Sequence, residues 1–400
     1  MLASPAARAE PLPRYIFFNI APATAWNQDA PASFTRTLFD EVSRTLNAPT
    51  NPRLRVGVSF IFSTLESPTN VLAQSLSRLL ACSEETGVPV LVTLDGQNWW
   101  QNRPDLWNWW DPKLPGYNPS NVFNVEWAGW SPKQAVKICW RNWGQQLRVA
   151  PAPNLASPRV LAAHLEALRA LVPIIVQWER HLPASRRWLF GGVKLGWEAG
   201  IGYNAYYYPD GNRCYEQWPQ DSSHDPTTSL NAAAGLSSGV CQLGYAALKS
   251  AGVKHHGEIT PEDLGRVTQR YLAALCEEAH ALGLPTDSIF SHAGGNAAPW
   301  EQHLPFWAAF NRWSSPGWSF YGLDPHEAGP LAAQMDRAGR RRWAACEWWW
   351  GAATAREWED HFRRTLSFRD CRFICIYNWN RSIKEEHAEA VRKLVSEWRD

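Results

Sequence analysis

Two glutamates end runs of the chain that read as strands. Glu198 closes WLFGGVKLGWE at 188–198, and Glu347 lies near the end of WAACEWW at 343–349. Alternate residues of an extended chain share a face. Gly192, Lys194, Gly196 and Glu198 then form one face of the first run, and the bulky Val193, Leu195 and Trp197 form the other. In the second run Trp343, Ala345 and Glu347 share a face. If the bulky face of the first run meets surrounding helices, each acid ends an inward face. Two carboxyl groups facing each other suit hydrolysis of a glycosidic bond. One protonates the leaving oxygen, and the other attacks carbon or activates water. A separation of about 5 Å gives retention of configuration and about 6.5–9.5 Å gives inversion. Other catalytic signatures are lacking: the GxSxG match Gly235-Leu236-Ser237-Ser238-Gly239 does not directly follow a strand run, as a nucleophile elbow must, and His255-His256 does not have HExxH spacing.

The elements that must position these acids form a regular series. Eight runs rich in branched and aromatic residues fall at 15–20, 54–62, 88–95, 188–198, 288–293, 318–323, 343–349 and 372–379. Helical patterns lie between and after them, at 33–47, 70–86, 157–182, 261–282, 299–313, 326–340, 354–366 and 384–398. Leu161, Leu165, Leu168, Val172 and Ile175 repeat at helical spacing. Thr260-Pro261-Glu262-Asp263 reads as a helix start. Eight alternating pairs predict a (β/α)8 TIM barrel with long insertions after strands 3 and 4. A doubly wound sheet would want a Gly-rich phosphate turn, and neither GxGxxG nor GxxxxGK[ST] occurs. The expected organisation is a tail over 1–14 and one barrel domain over 15–400.

The insertions, 96–154 and 199–258, leave the C-terminal ends of their strands, where barrel sites are built. The first carries Asn98, Trp99 and Trp100 among many aromatics. The chain has 25 tryptophans in 400 residues and is 13% aromatic, more than a core requires, so some rings are expected to line a binding surface. Two of Trp99, Trp100, Trp349 and Trp379 are expected to face a pocket. Lys194 and Arg55 read as inward and deeper, in a buried ion-pair network.

Lys plus Arg is 39 against Asp plus Glu 38, a net charge of +1, which argues against a nucleic-acid or anionic-membrane partner. No run of apolar residues reaches the length of a membrane span. None of the eight cysteines has zinc-finger spacing. No cofactor or metal ion is expected. Most cysteines fall on apolar-periodic segments and read as buried thiols. Cys214 and Cys241 share a polar segment and are either a disulfide, which needs an oxidising compartment, or two free thiols. Ala7-Arg8-Ala9 resembles the cleavage region of a secretory signal without its apolar segment, which leans towards a secreted or periplasmic location.

An acid/base at the end of strand 4 and a nucleophile at the end of strand 7 resemble the clan A glycoside hydrolases, the retaining "4/7" barrels. The resemblance covers the chain by strand count and does not single out one family. It implies Glu198 as acid/base, Glu347 as nucleophile, Tyr321 bonded to the nucleophile and Trp379 as a platform under the sugar. Asn19, Asp95 and His292, near the ends of strands 1, 3 and 5, are suited to sugar hydroxyls. Asn98, Trp99 and Trp349 join them as substrate-binding candidates. Where the clan usually has Asn before the acid/base, this chain has Trp197, so another residue must take the contact to the sugar 2-hydroxyl. The resemblance implies β-linked substrates, and the charge balance favours neutral glycans. Glu198, covered by the aromatic loop after strand 4, is expected to have a raised pKa. Two other readings stand beside the retaining glycosidase: a non-catalytic carbohydrate-binding barrel and a metal-assisted barrel hydrolase. Oligomeric state is left open.

Overall fold

The computed structural model describes residues 13–20, 31–142, 146–202, 205–206, 242–294, 304–377, 379 and 383–399. Eight parallel strands close on one another in chain order: β1 (Arg14–Asn19), β2 (Leu54–Ser63), β3 (Val90–Asp95), β4 (Phe190–Ala199), β5 (Ile289–Ala293), β6 (Ser315–Tyr321), β7 (Arg342–Trp349) and β8 (Asp370–Ile376), which pairs back to β1. The fold is a (β/α)8 barrel. Period-two alternation sorts the side chains of its strands. Tyr15, Phe17, Leu91, Phe290, Phe373 and Cys375 fill the interior. Ile16, Phe18, Val58, Val92, Val193 and Leu195 face outward into the helical layer. Close filling leaves no room beside Phe17 for a side chain on β4: a Cβ on Gly191 would lie 2.2 Å from its ring.

The helices that cover the barrel include α1 (Arg36–Leu46), α2 (Thr69–Thr86), α3 (Pro158–His181), α4 (Pro261–Ala281), α5 (Leu331–Arg337), α6 (Ala355–Ser367) and α7 (Glu385–Glu397). Helix α4 starts at a capping box: Thr260 Oγ1 accepts from the Asp263 N–H, and the Asp263 carboxylate accepts from the Thr260 N–H. Helix α3 is long and apolar enough, by length and composition, to cross a membrane. Here its apolar face, including Leu168, Val172 and Ile175, is buried in the core shared with α2 and α4.

Four expectations about elements change. The pattern at 299–313 holds, among the described residues, only the 3-10 turn Phe306–Ala309. Pro305 disfavours helix before it, and the Asn311 side chain accepts from the Trp313 N–H and donates to Ser314 Oγ, so local polar bonds replace helical ones. The helix at 326–340 shrinks to α5, because Gly329 takes φ +48° and Pro330 starts the chain afresh. Strand β6 begins at Ser315, earlier than expected, and β8 stops at Ile376, before Trp379.

Within the first insertion, Cys139–Asn142 and Gln146–Val149 pair antiparallel, and Ala205–Tyr206 adds a third short strand. Most of the second insertion, including Cys214 and Cys241, lies outside the described residues, as does most of the tail. Cys82, Cys139, Cys276, Cys346, Cys371 and Cys375 are free, buried thiols.

Much of the tryptophan content is structural. Indole N–H groups tie core rings to loop carbonyls, as Trp100 does to Pro151, Trp318 to Phe306 and Trp343 to Phe368. The expected ion-pair network does not form: among the described residues Arg55 stacks 3.7 Å over the Trp188 ring, and Lys194 donates to a backbone carbonyl inside the barrel.

Candidate active site

Strict alternation fails at the ends of β4 and β7, and that failure builds the site. On β4, Lys194 points inward as expected. At Gly196 the backbone enters the left-handed region, φ +80°, and a Cβ there would meet Leu272 of α4 at 3.0 Å, so this position faces out, not in. The register with β5 slips between Leu195 and Ala199. After this irregularity Trp197, expected among the helices, instead enters the barrel, and its Nε1 donates to Glu347 Oε1 at 2.6 Å. Glu198 itself has φ +50°. A non-glycine residue in this region carries strain, which concentrates at functional sites. Its N–H donates to His292 Nδ1 at 3.3 Å.

On β7 the expected face was Trp343, Ala345 and Glu347. The interior residues are instead Ala344 and Cys346, while Trp343 and Ala345 pack in the outer layer. Glu347 reaches the mouth because the ladder slips between Ala345 and Glu347 against β6, and again before Trp348 against β8. A bulge of this kind re-aims a side chain that parity would send outward.

The two glutamates converge on one hydroxyl. Tyr321, at the end of β6, has its Oη 2.8 Å from Glu198 Oε1 and in hydrogen-bond contact with Glu347 Oε2. Two oxygens bonded to a common third can lie no farther apart than two hydrogen bonds end to end, about 6 Å. Both glutamates are buried, 5% and 4% exposed. Burial raises the Glu347 pKa above the usual carboxylate range, against the opposing effects of Lys194, Tyr321 and Trp197. Burial also pushes Tyr377 up to about 12, with Glu347 and Glu198 adding to it. His292 is held well below the usual histidine pKa by burial and by Lys194. It is therefore neutral, with Nδ1 accepting and Nε2–H donating to Ser319 Oγ at 2.9 Å.

The other candidates divide by what already holds them. Asp95 accepts from the backbone N–H groups of Gln97 and Asn98, so it shapes the turn after β3. Asn98 donates its amide to the Trp197 carbonyl at 2.7 Å and buttresses the irregular end of β4. Asn19 accepts from Ser59 Oγ at 3.1 Å. Trp99 and Trp349 are half-buried. Trp349 lies 5.8 Å from Tyr377, which in turn meets Tyr321 edge-on. Trp100 and Trp379 are buried, the latter against Phe18 in the outer layer. Tyr377 was missed by the sequence reading, although it continues the inward face of Phe373 and Cys375 two residues on. Among the described residues no three His, Cys, Asp or Glu side chains converge as a metal site.

The class defined by fold and site is a (β/α)8 barrel with buried carboxylates at the C-terminal ends of its fourth and seventh strands. No family model and no curated protein sequence matches the chain. Solved structures similar to it include alpha-L-fucosidase isoenzyme 2 from Paenibacillus thiaminolyticus, at 14% identity and TM-score 0.45, covering 96% of this chain and 49% of that one. This chain thus spans about half the length of that protein. A beta-mannanase from the blue mussel Mytilus edulis aligns at 11% identity and TM-score 0.45, covering 96% and 92%. Endo-glycoceramidase II from Rhodococcus sp. aligns at 11% identity and TM-score 0.44, covering 92% and 73%.

Proposed function

We propose that the protein is a retaining glycoside hydrolase that uses Glu198 as acid/base and Glu347 as nucleophile. The observation that carries this reading is the single Tyr321 hydroxyl in contact with both carboxyl groups. The implied spacing, at most about 6 Å between the two oxygens that meet Tyr321, favours direct attack over the intervening water of an inverting enzyme. A phenol has one proton to give. The arrangement is satisfied when one carboxylate accepts from Tyr321 and the other, protonated, donates to the Tyr321 oxygen. Burial raises the Glu347 pKa, but the second donor, Trp197 Nε1–H, favours Glu347 as the ionised member and Glu198 as the protonated one. That is the protonation state a retaining glycosidase needs before substrate binds. Trp197 supplies Glu347 with a second donor, so both its oxygens are held.

In the first step a Glu347 oxygen attacks the anomeric carbon, the bond to the leaving oxygen breaks, and that oxygen takes the Glu198 proton. In the second, Glu198 takes a proton from water, whose oxygen displaces Glu347 and frees the sugar. A neutral, β-linked glycoside is the substrate class that the charge balance and the clan resemblance favour. A barrel that only bound carbohydrate would have no use for two buried acids at this spacing.

The test is azide rescue with activated aryl β-glycosides. Azide should restore turnover in Glu198→Ala and give a glycosyl azide of retained configuration, and in Glu347→Gly it should give the inverted azide. Swapped outcomes would reverse the two roles. A wild-type product of inverted configuration would discard the covalent mechanism.

A further inference from the structure

We infer that Lys194 is a positioning residue for Glu347: a buried cation that ties down the bulged end of β7 and holds positive charge beneath the carboxylate pair. The inference rests on the assignment of Glu347 as nucleophile. Lys194 is wholly buried inside the barrel, four residues before Glu198 on the same strand. Its Nζ donates to the carbonyl of Cys346 at 2.8 Å and lies 3.9 Å from Cys375 Sγ. Cys346 immediately precedes Glu347, where the ladder of β7 slips. One ammonium therefore links the strand that carries one acid to the irregular backbone that aims the other.

A neutral filler would complete the barrel interior without the cost of burying a charge. Among the described residues no carboxylate forms an ion pair with Lys194, and its contacts are a carbonyl and a thiol. Beyond Cys375 the polar chain stays neutral, through Ser59 to Asn19. Burial opposes the lysine's charge. Cys375, Glu347, Cys346 and Glu198 outweigh burial, and its pKa lies above the usual lysine value. In the other direction, Lys194 leads the influences that oppose the burial of Glu347. The titratable groups that also surround Glu347 are Glu198 on β4, Tyr321 on β6, Tyr377 after β8, and the thiols Cys346 and Cys375. His292 on β5 is neutral, so it does not substitute for the ammonium.

The experiment compares Lys194→Met with Lys194→Gln, which retains a donor for the Cys346 carbonyl without the charge. In both, the acidic limb of kcat/KM should move to higher pH by about one unit or more, with KM changed only a few-fold. A Gln variant whose acidic limb stays at the wild-type pH overturns the inference. If neither variant folds, the reciprocal measurement decides. 15N NMR should show a lower Lys194 pKa in Glu347→Gln than in wild type, and an unchanged value overturns the inference. Failure of the parent assignment is distinguishable, because azide with Glu347→Gly would then not give the inverted glycosyl azide, whatever Lys194 does.

Discussion

Replacing Trp197 by Phe tests whether the indole N–H is there to hold an ionised carboxylate. The bond removed runs from Nε1 to Glu347 Oε1 at 2.6 Å, between two buried groups. A hydrogen bond to a charged group contributes about 1.5–3 kcal/mol and one between neutral groups about 0.5–1.5 kcal/mol. The part that depends on ionisation is therefore about 1–1.5 kcal/mol, or about one pKa unit. The sign follows from burial. Glu347 already has a folded-state pKa above its unfolded value, so stability is fully present below the unfolded pKa and is lost as pH rises through the folded one. Losing a donor raises the folded pKa further and deepens that loss. The variant's deficit relative to wild type, from urea unfolding, should be about 1–1.5 kcal/mol larger at pH 9 than at pH 4. Packing lost with the larger ring is common to both pH values and cancels in the difference. The acidic limb of kcat/KM should rise by about one unit in parallel. An equal deficit at both pH values would show that Trp197 is a packing residue only, and the reasoning would fail.

Two further predictions concern backbone devices. Gly196→Ala forces a side chain into φ +80° beside Leu272, which should cost about 1–2 kcal/mol in urea unfolding and lower kcat/KM at least about tenfold by misplacing Trp197 and Glu198; wild-type kinetics would remove the bulge from the account of the site. Glu126 accepts from the backbone N–H groups of Gly244, Ala246 and Ala247, joining the first insertion to the short helix Tyr245–Ser250. Glu126→Gln keeps one acceptor oxygen but turns an amide NH2 against the donor or donors on the other, and should cost about 1–3 kcal/mol. Hydrogen exchange at the three amides should accelerate about tenfold or more while Val193 in β4 stays protected, and unchanged exchange would show that the carboxylate is not the tether.

The eight strand runs, and most of the helices between them, were legible because they depend on local chemistry. Apolar runs such as YIFFNI and VPVLVTLD are extended and buried on both sides in any parallel barrel, and Thr260, Ser157 and Thr354 cap helices with their own side chains. Glu198 and Glu347 were legible as acids at strand ends, because their place in the series is a property of the series. Parity was not enough to aim them. Alternation holds only while the ladder stays in register, and nothing in Trp343–Trp349 or Phe190–Ala199 announces that β7 slips before Glu347 or that Gly196 turns outward. The sequence reading placed Trp197 among the helices for the same reason, and Tyr377 was passed over although its parity was correct. Sequence by itself determined the order and approximate extent of the strands and which acids close them, since these follow from side-chain type and spacing. Only the tertiary structure decided that both acids share the Tyr321 hydroxyl with Trp197 against one of them, since that depends on where neighbouring strands force the backbone out of step.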